Sequence, residues 1–352
     1  MARRTRAVLQ HPGLSLITAI AAILTAAILS GCASRPKPSP TTQPIVVDKP
    51  VLDFSRGIGA LPLEGDNKPR SREELAQRLL RGYQSRLLLP EGLPPIVASG
   101  DSFPHLNQLR IDVSNAVVQK NYKPAQTKTP IKHLEPVLSV NEFEYLAAPL
   151  RYADRETYWQ LRVHDARFGL FHDPSGRTGL VMTDAAEGYL QFSVKLSDLK
   201  PMMLRGAREH AKGGFWVRDA AVRITSEDTR SLSAELRVQA VWMLLPTTFH
   251  IRGHMTIDDN FHVKLSDLAC EGEDLGGSLL ASLIGPSIQK YEGRLVPLAK
   301  WPGDRIAVRD VAIHVDDAFR MTAWFGQRNS STPLAAEPSR PSPFSLAGKT
   351  PS

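Results

Sequence analysis

The chain has 352 residues, a formal charge of +7, a pI near 9.4, 42% hydrophobic residues and two cysteines. Two cysteines exclude a disulfide-stapled scaffold. Three of the positive charges belong to Arg3, Arg4 and Arg6, so about +4 remains on the rest of the chain, too little for the basic footprint of a nucleic-acid binder.

After those arginines the stretch from Leu14 to Leu29 carries no charge, the layout of an export signal. It ends in Leu29-Ser30-Gly31-Cys32, which resembles the lipobox of a bacterial lipoprotein signal. The resemblance implies removal of residues 1–31 and lipid modification (acylation, for example with palmitate) of Cys32, which becomes the membrane anchor. An uncleaved membrane helix is the competing expectation, since the run approaches the roughly 20 residues that span a bilayer. The cysteine at the end of the run favours the lipoprotein. Ala33 after the cysteine, rather than aspartate, is similar to an outer-membrane address, facing the periplasm.

Residues 32–69 contain Pro36, Pro38, Pro40, Pro44 and Pro50 with few large apolar residues, the composition of an extended tether. Residues 70–134 are expected to form a helix-and-strand extension packed on a main domain. Its helix is signalled by Ser71 as N-cap, Glu74 as capping-box partner and a stripe of Leu75, Leu79, Leu80 and Tyr83. Strand character follows in "QLRIDVSNAVV", "YWQLRVHDARFGLF", "TGLVMTD" and "EGYLQFSVKL", where β-branched and aromatic residues alternate with polar ones.

Two further helices are predicted. The first starts at Ser197, carries Leu199, Met202, Met203 and Ala207 on one face and stops at Gly213-Gly214. The second follows Gly276-Gly277 and places Leu279, Leu283, Ile284, Ile288, Tyr291 and Leu295 on one face, with a kink at Pro286. Between them "VWMLLPTTFHIRGHMTIDDNFHVKL" predicts a hairpin turning at Asp258-Asp259-Asn260. From residue 327 the chain lacks apolar periodicity, so 327–352 form a tail without a packed core.

Residues 138–170 align without a gap on 192–224, matching Val163, Asp165 and Ala166 to Val217, Asp219 and Ala220. The shared unit predicts strand, helix, strand in both copies, and "VRDVAIHV" (308–315) echoes its end. A duplication and a chance likeness of similar patterns both remain open here.

The order "YLQFSVKLSDLKPMML…GGFWVRDAAVRI…HVKLSDLACEGEDLGGSLLASLIGPSIQKY…VRDVAIHVDDAF" resembles the exported bacterial members of the TULIP-like (tubular lipid-binding) group over residues 135–326. The resemblance implies an α+β fold, a strongly curved antiparallel sheet wrapped around one or two long amphipathic helices, with an apolar cavity between them. Carried onto this chain, the cavity lining is Leu199, Met202 and Met203 on one helix and Leu279, Leu283, Ile284 and Ile288 on the other. Plain core packing is the alternative for each of these residues.

Chemistry is sparse. His250 and His254 lie four apart on a strand with Arg252 between them on the same face, which argues against a cation site. Cys270 is expected to be a buried small hydrophobe, and Asp165 and Asp219 to be bulge or edge charges. No nucleophile elbow, phosphate loop or metalloprotease helix occurs in the sequence. The expectation is a non-enzymatic, cofactor-free envelope lipoprotein that binds or shuttles a lipid or other apolar ligand. The alternative is a structural or assembly lipoprotein acting through a protein partner.

Overall fold

The structure, a computed structural model, describes residues 50–328 apart from 57–58, 93, 120–130, 132–133, 153–154, 173–176, 211–214 and 243. In chain order the strands are β1 (Leu52–Asp53), β2 (Leu61–Leu63), β3 (Leu87–Leu88), β4 (Ile96–Ser99), β5 (His105–Asp112), β6 (Val117–Val118), β7 (Glu135–Tyr152), β8 (Arg155–His172), β9 (Thr178–Asp184) and β10 (Glu187–Lys195). They continue as β11 (Phe215–Ser226), β12 (Ser231–Trp242), β13 (Leu245–Ile257), β14 (His262–Gly272), β15 (Leu295–Pro297), β16 (Ala299–Lys300), β17 (Ile306–Val315) and β18 (Ala318–Gln327). Three α-helices stand among the described residues: α1 (Arg72–Gln84), α2 (Leu196–His210) and α3 (Leu275–Gln289).

The fold is α+β and mostly sheet. An 11-stranded sheet runs in the order β17-β18-β10-β8-β7-β5-β4, with β2, β3, β6 and β9 attached at its sides. A 5-stranded antiparallel meander, β11-β12-β13-β14-β15, forms the second sheet. The large sheet is built on the β7–β8 hairpin, whose strands of 18 residues each span about 60 Å. The chain leaves this sheet at Lys195, builds the whole small sheet, and returns with β18 pairing on β10 from Glu187↔Gly326 to Lys195↔Ala318.

Three apolar clusters hold these elements. In the first, α1 lays Leu75, Leu79 and Tyr83 onto the large sheet beside Leu109, Ile111 and Val140. Ser71 caps α1 by accepting from the Glu74 N–H at 3.2 Å, and Glu74 reaches back to the N–H of Arg70 at 2.9 Å, one residue before the cap. In the second, the sheets meet face to face: Phe192, Val194, Ile313 and Phe319 of the large sheet pack on Leu232 and Met255 of the small one. In the third, α3 covers the other end of the same face of the small sheet, with Leu280, Ile284 and Ile288 on Phe249 and Ile251.

Several expectations change. β1 and β2 belong to the fold, not to the tether: Leu52, Leu61 and Leu63 are buried, and β1 pairs in parallel with β16. Within the extension expected at 70–134, β3, β4, β5 and β6 belong to the large sheet, β5 pairing in parallel with β7. The repeat fails as a common unit. Residues 142–152 are strand, where their counterparts 196–206 are helix, because β7 is paired on both edges, by β5 and by β8. Pairing on both sides overrides the local helical likeness. What recurs is smaller: Asp219 and Asp310 each sit at a register shift, β11 against β12 and β17 against β18. Asp165, at φ 50°, stands where β8 changes partner from β10 to β9. The V-x-D motif therefore marks breaks in the ladder, a bulge at Asp219 and Asp310 and a change of partner at Asp165.

Candidate functional site

The residues expected to line a cavity come from α2 and α3, and both helices lie on the small sheet. α2 starts at Leu196, whose N–H bonds the Asp317 carbonyl at 3.0 Å, and Ser197 is its second residue rather than its cap. Pro201, the sixth residue of α2, has no N–H to offer the Ser197 carbonyl, so the helix lacks that bond near its start. Lys200 tethers the helix to Asp219 of β11 at 2.9 Å.

α3 is pinned at both ends by carboxylates. Asp274 caps it, accepting from the Gly277 N–H at 2.6 Å through one oxygen and from the Thr248 N–H of β13 at 2.8 Å through the other. Beyond its C-terminus, Glu292 accepts from the N–H groups of Asp267 and Leu268, both at 2.9 Å, at the bulge of β14. Asp267 there has φ 54°. The expected run to Leu295 ends at Gln289 instead, and Leu295 starts β15, which adds to the sheet edge. At 15 residues, each of these helices is about 22 Å long.

The structure separates the expected lining. Leu199 is buried in the cluster between the two sheets, with Met202 half-buried beside it. The side chain of Met203 lies outside the described set. Ile284 and Ile288 are buried in the cluster under α3. Leu279 and Leu283 do not share their face: they are 49% and 52% exposed, on the outer side of the helix. The side facing the sheet is Gly276, Gly277, Leu280, Ala281, Ile284 and Ile288. Lipidation of Cys32 falls outside the described residues.

The outer side of α3 is apolar too. Leu275, 79% exposed, stands one turn before Leu279 and two before Leu283. The β12–β13 turn beside it shows Leu244 and Leu245, and Trp216 of β11 is 74% exposed across the register from Val241. Sequence reasoning passed over this patch. The available signal was the absence of any charged residue from Leu275 to Gln289, which leaves a second leucine stripe besides the buried one.

The polar face of the small sheet, away from the helices, is a lattice of ion pairs. Arg237 grips Glu273 at 2.6 and 2.8 Å, and His250 lies between Glu273 and Glu235. Arg252 pairs with Glu271, and His254 stands 3.4 Å from Glu227. Hydrogen bonds from Arg237 and His250 hold the Glu273 carboxyl down at about 2. Burial pushes the Cys270 thiol up to about 11, which makes it a poor nucleophile. Among the described residues no group of three or more His, Cys, Asp and Glu side chains is arranged to hold a metal ion.

Fold and site together define a mostly antiparallel α+β domain of two main sheets, with α1 on the larger and α2 and α3 against the smaller. No family model matches the chain, and neither a curated protein nor a solved structure matches it.

Proposed function

We propose that this chain is a membrane-anchored envelope lipoprotein, held by acylated Cys32, whose TULIP-like domain binds or shuttles a lipid or other apolar ligand without catalysis. One observation carries the ligand reading. Leu196, Met202 and Leu204 of α2 are half-buried where the cluster between the sheets meets the cluster under α3. A chain of methylenes extending that apolar seam would meet side chains already removed from water but still accessible, and an unbranched thioether adapts to such a surface. The TULIP-like part of this reading rests on the sequence resemblance over residues 135–326.

A second reading, a structural or assembly lipoprotein acting through a protein partner, draws on a different fact. Leu199, Ile284 and Ile288 are at most 2% exposed and already covered by protein, as in a filled core.

Both readings share the anchor, which is tested first. In the native membrane the N-terminal peptide is expected to begin at a Cys32 carrying acyl chains, and Cys32→Ala to abolish that modification and release the domain on processing. An N-terminal peptide with unmodified Cys32 overturns the anchor. Organic extraction of the purified chain then separates the readings: a stoichiometric lipid supports the carrier, and an empty chain that also fails to bind a fluorescent fatty acid overturns it.

A further inference from the structure

The patch around the N-terminus of α3 is an unpartnered apolar surface at one end of the small sheet. Leu244, 92% exposed, and Leu245 form the tip of the β12–β13 turn. α3 begins against that turn, because Gly276 lies beside the Pro246 carbonyl and the Thr247 hydroxyl. Leu275, Leu279 and Leu283 continue the surface along the helix, and Trp216 flanks it on the other face of the sheet. Isolated exposed apolar residues are ordinary, but a contiguous patch including leucines at i, i+4 and i+8 marks a contact surface.

We propose that this patch docks on a lipid bilayer surface, seating Leu244, Leu245, Leu275 and Leu279 among the acyl chains with Trp216 at the headgroup level. This rests on the membrane location proposed above. Three features favour a bilayer over a protein. No acid lies among the patch residues, and those at its borders are engaged: Asp219 pairs with Lys200, Glu273 with Arg237, and Asp274 and Glu292 accept backbone N–H groups, while Arg218 and Lys290 flank it. That charge pattern suits an anionic headgroup layer. Trp is the side chain that partitions to the headgroup boundary, with an apolar ring and a hydrogen-bonding edge.

The third feature is reach. The described chain starts at the far end of the small sheet, where the Val51 N–H bonds the Pro297 carbonyl and Pro297 pairs with His262. The 13 residues of β13 separate that end from Leu245, a distance of about 40 Å. Eighteen residue steps lie between Cys32 and Pro50, and fully extended they cover about 60 Å. The anchor and the patch can therefore occupy one bilayer together.

The test uses the chain from Cys32 to Ser352 produced without acylation, so that binding reports on the patch alone. It is floated with vesicles of mixed phosphatidylethanolamine and phosphatidylglycerol, beside the double variant Leu244→Ser, Leu279→Ser, whose sites are exposed and whose thermal unfolding is expected to match the parent. The parent is expected to float with the vesicles, and the variant to bind at least about tenfold more weakly. A parent chain that stays with the protein fraction overturns the proposal, as does a variant that floats equally well. Self-association of the parent without lipid, lost in the variant, also overturns it in favour of a second copy as the occupant. Failure of the anchor is read separately, from the mass of the N-terminal peptide in native membranes, so the two outcomes cannot be confused.

Discussion

Glu273 shows how a single side chain can serve two surfaces. Its carboxylate ties Arg237 and His250 on the polar face of the small sheet, and its own N–H bonds the Thr248 carbonyl just before α3 begins. Its folded value of about 2 lies below the ordinary 4.5, so the stability it contributes is present above about pH 4.5 and is lost as pH falls through about 2. Glu273→Gln is therefore expected to be less stable at pH 7 and to lose less on acidification than the parent, a difference that urea midpoints measured from pH 7 down to pH 3 would display. Equal slopes for the two chains would refute the assignment. His250, Arg252 and His254 were legible as strand residues sharing one side, but their partners were not. Glu227, Glu235, Glu271 and Glu273 reach them only through strand register, which is a long-range property.

At the scale of elements, α3 owes its position to glycine for a reason other than capping. A Cβ on Gly277 would collide with the Thr248 carbonyl oxygen, so the helix lies against β13 only because nothing projects there. Gly277→Ala should cost about 1–3 kcal/mol by thermal or urea unfolding. Gly285, in the same helix with open space around its Cβ position, provides the contrast: Gly285→Ala should be neutral or gain about 0.5–1 kcal/mol. A gain at both sites would show that helix propensity outweighs close approach at Gly277. The buried face of α1 was legible from its stripe and cap, which are local. That of α3 was not, since an uncharged helix with leucines on two sides has no periodicity to choose between them, and the sheet chose Leu280 over Leu279.

For the molecule as a whole, the two sheets are joined by apolar contact, by a hydrogen bond from the Ile313 N–H to the Thr229 carbonyl at 2.7 Å, and by the Arg230 cation. Arg230, in the β11–β12 turn, pairs with Asp310 of β17 at 2.7 Å and with Asp259 of the β13–β14 turn at 3.1 Å, and lies over the Phe261 ring. With a third of its side chain exposed, Arg230→Ala is expected to lower global stability by about 1–2 kcal/mol, without splitting the unfolding transition. Two separate transitions would show that the sheets unfold independently. Sequence pattern supplied β5, β8, β9, β10 and the hairpin at 258–260, because alternation and turn chemistry are local, but it read the second half of β7 as helix. It did not supply the division into two sheets, which depends on the return of β18 to β10. That return has a consequence for how the chain is made. Whether it emerges from a ribosome or through a translocation pore, it does so N-terminus first. The edge of β10 then waits for 123 further residues, from Lys195 to Ala318, before its partner exists. At about 5–20 residues per second this leaves a nine-residue strand open to wrong pairing for roughly 6–25 seconds. During that interval the nascent protein depends on something other than its own fold to guard that edge.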